Sequence, residues 1–155
     1  MLRRLKEFLA AGSAPRSTGD RDEDVRLALA TLLAYAAGLD EDFDERERST
    51  ILELLSGQFD LTDAEALELL DAASEKAAEA TELFGTTRVI RDRYDQEARI
   101  EMLEMLWQVV YSDGRLHDHE ANLMRRVAGL LHVEDRDSGM ARKRVLARLG
   151  LQGQG

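Results

Sequence analysis

The stretch MLWQVVYSDGRLHDHEANLMRRVAGLLHV, residues 105–133, decides the fold. Apolar residues at helical spacing lead up to Tyr111, an acidic turn carries Asp113 and Gly114, and a second amphipathic helix has Glu120 in or near its first turn. This order predicts a helix, a polar turn and a second helix. The sequence shows no alternation of apolar and polar residues typical of strands, which predicts an all-α protein.

A similar pattern occurs 73 residues earlier in the chain. The aligned pairs are Leu32 with Met105, Leu33 with Leu106, Ala36 with Val109, Ala37 with Val110, Asp40 with Asp113, Phe43 with Leu116, Glu47 with Glu120, Ile51 with Met124, and Leu54 with Val127. The alignment predicts an internal duplication of a helical hairpin, with residues 40–43 and 113–116 in equivalent turns about an approximate twofold axis. We expect Phe43 and Leu116 to be buried as plugs between helices.

The helical pattern continues through most of the chain and predicts a single bundle of about seven helices over residues 22–150. Thr62 and Glu65 form a capping-box pattern that opens a long helix. We expect that helix to reach about Phe84 and Gly85 to end it. Residues 138–149 carry the pattern of a final basic helix.

Residues 1–21 have a different composition from the rest of the chain. Within residues 1–10, Leu2, Leu5 and Leu9 recur at helical spacing, which predicts a short amphipathic helix. Residues 11–21 are rich in Gly, Ser and Thr and hold the only proline, as a flexible linker does. Two interpretations of the helix remain open: a peripheral contact with a membrane surface, or docking on the domain or on a second copy in a homodimer.

Charge and composition limit the kinds of partner that the protein can bind. The net charge is −10, and residues 20–82 hold 19 acidic and 5 basic residues. Binding to nucleic acid needs a basic stripe that displaces phosphate counterions, so we expect protein partners and no nucleic acid. The chain has no cysteine, which is compatible with a reducing cytoplasm. No apolar run approaches the roughly 20 residues that span a bilayer, and a soluble cytoplasmic protein is the expectation.

Paired acids suggest a metal site. Asp40 precedes Glu47 by seven residues, and Asp113 precedes Glu120 by the same spacing. If the two hairpins pair about a twofold axis, four carboxylates converge and repel each other unless they are protonated or bridged by a cation. Calcium or magnesium suits such oxygen donors. The alternative is that these acids stabilise helix N-termini, at a few tenths to about 1 kcal/mol each, and bind no ion.

Histidines near the second acidic turn widen the choice of ion. His117 and His119 flank Asp118, and a contribution from either imidazole would favour zinc or manganese. Solvated histidines near a helix start are the simpler interpretation. No cofactor other than a divalent cation is expected.

The sequence does not fit an EF-hand calcium loop or a known catalytic motif. Asp40, Asp42 and Asp44 imitate the first ligands of an EF-hand loop, but its sixth position is Glu45 instead of glycine and its twelfth is Ile51 instead of glutamate. The sequence also lacks a glycine-rich phosphate loop, a Ser or Cys nucleophile motif and a paired His-Glu metal motif. We therefore expect a protein that is not an enzyme and has no catalytic residues.

The order of apolar helix, short acidic turn, acid seven residues on and amphipathic helix resembles the TerB-like family. Residues 111–131 carry the pattern clearly and residues 37–47 carry it in degenerate form, and the resemblance covers roughly residues 23–150. It implies an all-helical domain of about seven helices with an internal duplication. It also implies a role in bacterial tellurite resistance and stress response, and relatives occur beside J-domain co-chaperones.

The resemblance also implies site residues. The acidic divalent-cation site proposed for the family falls here on Asp40, Glu47, Asp113 and Glu120. The first turn departs from the pattern because it has Glu41 where the second turn has Gly114.

Two functions are compatible with the sequence: a metal-responsive stress protein of the tellurite-resistance type, or an ion-independent interaction module, as in a co-chaperone or a membrane-associated scaffold.

Overall fold

The computed structural model describes residues 18–38, 45–78, 83–112, 114, 116 and 118–151, with side chains from residue 23 onward. Seven helices lie in these ranges: α1 Thr18–Gly38, α2 Glu45–Phe59, α3 Asp63–Ala77, α4 Leu83–Arg93, α5 Gln96–Val110, α6 Asp118–Leu130 and α7 Asp135–Leu149. The ranges contain no strand, and the predicted all-α bundle of about seven helices is confirmed. None of these helices is long and apolar enough to cross a bilayer.

Helix α1 is the centre of the bundle and packs against α2, α3, α4 and α5. Its sequence is apolar on nearly every side from Val25 to Ala37, which is the pattern of a helix surrounded by others. Many of its buried residues are alanines, whose short side chains let neighbouring helices approach closely. Helix α5 is the second central element and contacts α1, α2, α6 and α7.

The two halves of the bundle show matching spacings. Helices α2 and α6 begin 73 residues apart, which is the offset of the aligned hairpins. Helices α3 and α7 are both 15 residues long. The helices α1, α2 and α3 all pack on one another, and so do α5, α6 and α7. These spacings are consistent with the duplication, which stays a prediction.

Most aligned pairs that are described on both sides share their burial, although Leu54 is only partly buried opposite the buried Val127. The pairs in which both residues are buried are Leu32 with Met105, Leu33 with Leu106, Ala36 with Val109, Ala37 with Val110, Ile51 with Met124 and Glu47 with Glu120. Leu116 is partly buried against the core, less than the expected full burial. Its predicted counterpart Phe43 lies outside the described residues.

The predicted long helix from Asp63 to about Phe84 is wrong, because α3 ends at Ala77 and a separate helix, α4, begins at Leu83. Gly85 lies inside α4 and does not end a helix. A helical glycine costs about 1 kcal/mol relative to alanine. Here the burial of Leu83, Thr86, Thr87 and Ile90 offsets that cost.

The limits of the first and last helices differ slightly from expectation. Helix α1 begins at Thr18, ahead of the expected domain start at residue 22, and α7 begins at Asp135 instead of residue 138. The amphipathic segment of residues 1–10 lies outside the described part of the chain. The division into residues 1–21 and 22–150 therefore stays a prediction.

Candidate functional site

Glu47 and Glu120 are the two predicted ligands whose side chains the structure describes, and both are buried. Glu47 is 3% exposed and Glu120 is 0% exposed. Each is the third residue of its helix, α2 or α6. The sequence alignment therefore pairs two glutamates that have the same place in a helix and the same burial.

A third glutamate shows what capping alone requires. Glu65 is the third residue of α3 and completes the predicted capping box. Its Oε1 accepts a hydrogen bond from the Thr62 backbone N–H at 2.9 Å, and its own N–H donates to Thr62 Oγ1 at 3.1 Å. Glu65 performs this role while remaining partly exposed. Capping therefore does not require the burial found at Glu47 and Glu120.

Burial raises the free energy of an ionised carboxylate. An ionised carboxylate removed from water costs several kcal/mol unless nearby charges, hydrogen bonds or a metal compensate for it. The positive end of the helix dipole gives Glu47 and Glu120 part of that compensation, because both lie in a first helical turn. The remaining compensation must come from specific groups around each carboxylate, and carboxylate oxygen is a preferred donor to calcium and magnesium.

The other two predicted ligands, Asp40 and Asp113, lie outside the described residues. The convergence of all four acids therefore stays a prediction. Within the described ranges there is no cluster of three or more His, Cys, Asp or Glu side chains that could hold a metal. Glu47 and Glu120 fit the donor chemistry of a hard cation, and a complete site would need groups from the adjoining turns.

The second acidic turn has a backbone conformation that favours glycine. Gly114 has a φ of 91°, a left-handed conformation that glycine adopts without steric cost. Its N–H donates to the Tyr111 carbonyl at 2.9 Å. The Ser112 hydroxyl donates to the Val109 carbonyl at 2.7 Å. The chain thus leaves α5 through a hydrogen-bonded turn in which Gly114 takes a positive φ.

The histidines occupy exposed positions where they are described. His119 is exposed on the first turn of α6, and His117 lies outside the described residues. His132 follows α6 with a φ of 58°, and its Nε2 lies 3.3 Å from Arg91 Nη1. His132 is therefore a residue at a helix end.

Sequence reasoning missed a cluster in which Arg142 of α7 meets two aromatic rings of α5. Arg142 Nε donates to the Tyr111 hydroxyl at 2.7 Å. The guanidinium carbon lies 5.5 Å from the Trp107 ring centroid and 5.8 Å from that of Tyr111. The two rings are stacked with centroids 6.0 Å apart. The four-residue spacing of Trp107 and Tyr111 was the one available signal, because it places both rings on one helix face.

An open pocket lies beside this cluster, between α5, α6 and α7. Its volume is about 290 Å³, and Trp107, Leu116, Arg125, Asp135, Ser138 and Arg142 are among the residues that line it. Trp107 is 6% exposed and belongs to the core. Its indole Nε1 is buried and makes no hydrogen bond with any described residue.

The fold and the site define an all-α domain with two buried glutamates at matching helix starts. The chain belongs to the TerB family, since the family model described as "Tellurite resistance protein TerB" matches residues 26–143. The match runs from within α1 to within α7 and includes Glu47 and Glu120. The predicted resemblance is confirmed. Neither the curated proteins nor the solved structures include a significant match to the chain.

Proposed function

We propose that this TerB-family chain is a non-enzymatic bacterial stress-response protein that binds a divalent cation. The proposed ligands are Asp40, Glu47, Asp113 and Glu120. The family match supports the association with tellurite resistance. The matched burial of Glu47 and Glu120 is the observation that supports the cation site.

The comparison with Glu65 strengthens this proposal. All three glutamates are third residues of helices, but the two that align across the proposed duplication are buried while the capping glutamate is partly exposed. A cation binds carboxylates in their ionised form and offsets the cost of burying them. Four oxygen donors of this type favour calcium or magnesium over softer metals.

Thermal unfolding with and without divalent cations tests the proposal. Calcium or magnesium at millimolar concentration should raise the melting temperature of the metal-free chain, because an ion that binds only the native state stabilises it. At 100 times its Kd the ion should add about 2.7 kcal/mol. Manganese and zinc, added separately, measure the selectivity.

Two matched variants separate binding from helix capping. Glu120→Gln should remove most of the ion-dependent shift, while Glu65→Gln should keep it, although Glu65→Gln also alters a cap. Equal shifts in both variants, or no shift in the unmodified chain, would contradict the cation site.

An ion-independent interaction module is the second candidate function. Phe84 on α4 is 60% exposed and Met140 on α7 is 47% exposed, and large apolar side chains at the surface favour protein contacts. This candidate predicts that divalent ions leave the melting temperature unchanged.

A further inference from the structure

We propose that copies of this chain associate head to tail, with helix α3 of one copy against helix α7 of another. The contact joins two stripes of exposed residues. The acidic stripe on α3 consists of Asp63, Leu67, Asp71 and Glu75. The basic stripe on α7 consists of Arg136, Met140, Arg144 and Arg148. Both stripes are separate from the proposed cation ligands.

The residues of each stripe follow one another at intervals of four positions, which places them on one side of the helix. Each stripe contains one large apolar side chain in contact with solvent. Leu67 is 39% exposed on α3, and Met140 is 47% exposed on α7. Covering these side chains with a partner removes apolar surface from water and stabilises the contact. The pair of them gives the interface an apolar centre.

The charges around the two apolar residues have opposite signs. Helix α3 carries five acidic residues and one basic residue, whereas α7 carries five basic and two acidic residues. Asp63 and Asp71 lie four residues on either side of Leu67, and Arg136 and Arg144 lie four residues on either side of Met140. The two stripes are therefore complementary in charge and have the same spacing.

Ion pairs within the chain offset only part of this charge. Arg144 and Arg148 share the single carboxylate of Glu104, yet their side chains remain 47% and 55% exposed. Asp71 Oδ1 lies 3.9 Å from Arg48 Nη2, and the Asp71 side chain is 69% exposed. Asp63 and Arg136 form no ion pair with any described residue. Both stripes thus keep charge that is available to a partner.

A second copy is the occupant that accounts for both stripes. Helix α3 packs on α1 and α2 and helix α7 packs on α5 and α6, so the stripes lie on different parts of the bundle. The chain as a whole has a net charge of −10, and copies repel each other in most orientations. An acidic stripe against a basic stripe replaces that repulsion with attraction and selects this orientation.

The contact is heterologous, because different surfaces of the two copies meet. Each pair leaves one stripe of each kind free, so association continues into a ring or an open chain. One pair of helix faces is a small interface, which predicts weak association that depends on concentration and salt.

Sedimentation velocity of the full chain tests this prediction. A chelator in the buffer keeps the result independent of the proposed cation site. Between about 1 μM and about 1 mM chain, the weight-average sedimentation coefficient should rise in about 0.1 M salt. The same association should be at least about tenfold weaker in about 1 M salt, where screening shortens the reach of the charges.

Two variants, alone and mixed, identify the surfaces. Leu67→Lys places a positive charge against the basic stripe, and Met140→Glu places a negative charge against the acidic stripe. Each variant alone should remain monomeric, whereas an equimolar mixture should associate, because each variant retains the stripe that the other needs. Phe84→Lys is the matched control, since Phe84 is 60% exposed on α4 outside both stripes, and it should associate like the unmodified chain.

Four results would overturn the proposal. The unmodified chain is monomeric at every concentration if residues 1–17, with four basic and one acidic residue, cover the acidic stripe of their own chain. Association that only one of the two variants weakens indicates a contact between identical stripes. A mixture of the variants that stays monomeric, or an equal loss in Phe84→Lys, would also exclude the pairing of α3 with α7.

Discussion

Glu47 and Glu120 each occupy the third position of a helix, 73 residues apart, and both side chains are buried. This relationship connects the sequence pattern to the proposed function. A pair of surface acids would need only the helix dipole as an explanation. Two buried acids at aligned positions indicate a common requirement in both halves of the bundle.

The first prediction concerns Glu104, which links α5 to α7. Its Oε2 lies 3.0 Å from Arg144 Nη2, and its Oε1 lies 3.1 Å from Arg148 Nη1. The Glu104 side chain is largely buried although both arginines are about half exposed. Glu104→Gln should lower the free energy of unfolding by about 1 kcal/mol, because it weakens two ion pairs that are partly screened by water.

Urea unfolding of Glu104→Gln measures this loss. Glu101→Gln is the control, since Glu101 lies on the same helix and is exposed. The interpretation of Glu104 as a link between the helices fails if the two variants have the same unfolding midpoint.

The second prediction concerns the Tyr111 hydroxyl, which accepts a hydrogen bond from Arg142 Nε at 2.7 Å. Tyr111→Phe leaves this charged donor without its acceptor and should cost about 1.5–3 kcal/mol of stability. Tyr35→Phe, at a partly buried tyrosine of α1, provides the comparison. Denaturant unfolding that finds equal losses at both positions would show that the hydroxyl of Tyr111 has no special role.

The third prediction concerns Leu116, which is packed against the core but only partly buried. Leu116→Ala should cost about 1–2 kcal/mol, below the roughly 2–5 kcal/mol typical of fully buried leucines. Leu33→Ala, at a fully buried position of α1, should fall in that higher range. A loss at Leu116 equal to that at Leu33 would mean that Leu116 is a complete plug, as the sequence alone predicts.

The sequence predicts those features that depend on local periodicity and local hydrogen bonding. The capping box of Thr62 and Glu65 is confirmed, since neighbouring residues determine it. The family was also identifiable from the acidic turn and its flanking helices.

Features that depend on the direction of a neighbouring helix were harder to predict. On α3 the face toward the core carries Ala66, Leu69 and Leu70, while Leu67 of the same apolar run is 39% exposed. Leu149 recurs at helical spacing with the buried Val145 and Leu146 but is exposed at the end of α7. In each case the periodicity allows more than one orientation, and packing against the central helices selects one.

The contact of Arg142 with Trp107 and Tyr111 joins residues more than 30 positions apart and follows no motif. Only the packing of α5 against α7 brings them together. The convergence of the four acids depends in the same way on how the two hairpins are placed, and periodicity alone does not determine it.

Isothermal titration calorimetry of the metal-free chain with calcium and magnesium tests the central claim most directly. We predict saturable binding by the unmodified chain and none by the double variant Asp113→Asn with Glu120→Gln. That variant should be as stable as the unmodified metal-free chain or slightly more stable, because it removes carboxylate repulsion. Absence of binding heat in the unmodified chain at millimolar ion, or equal binding by the double variant, would contradict the cation site.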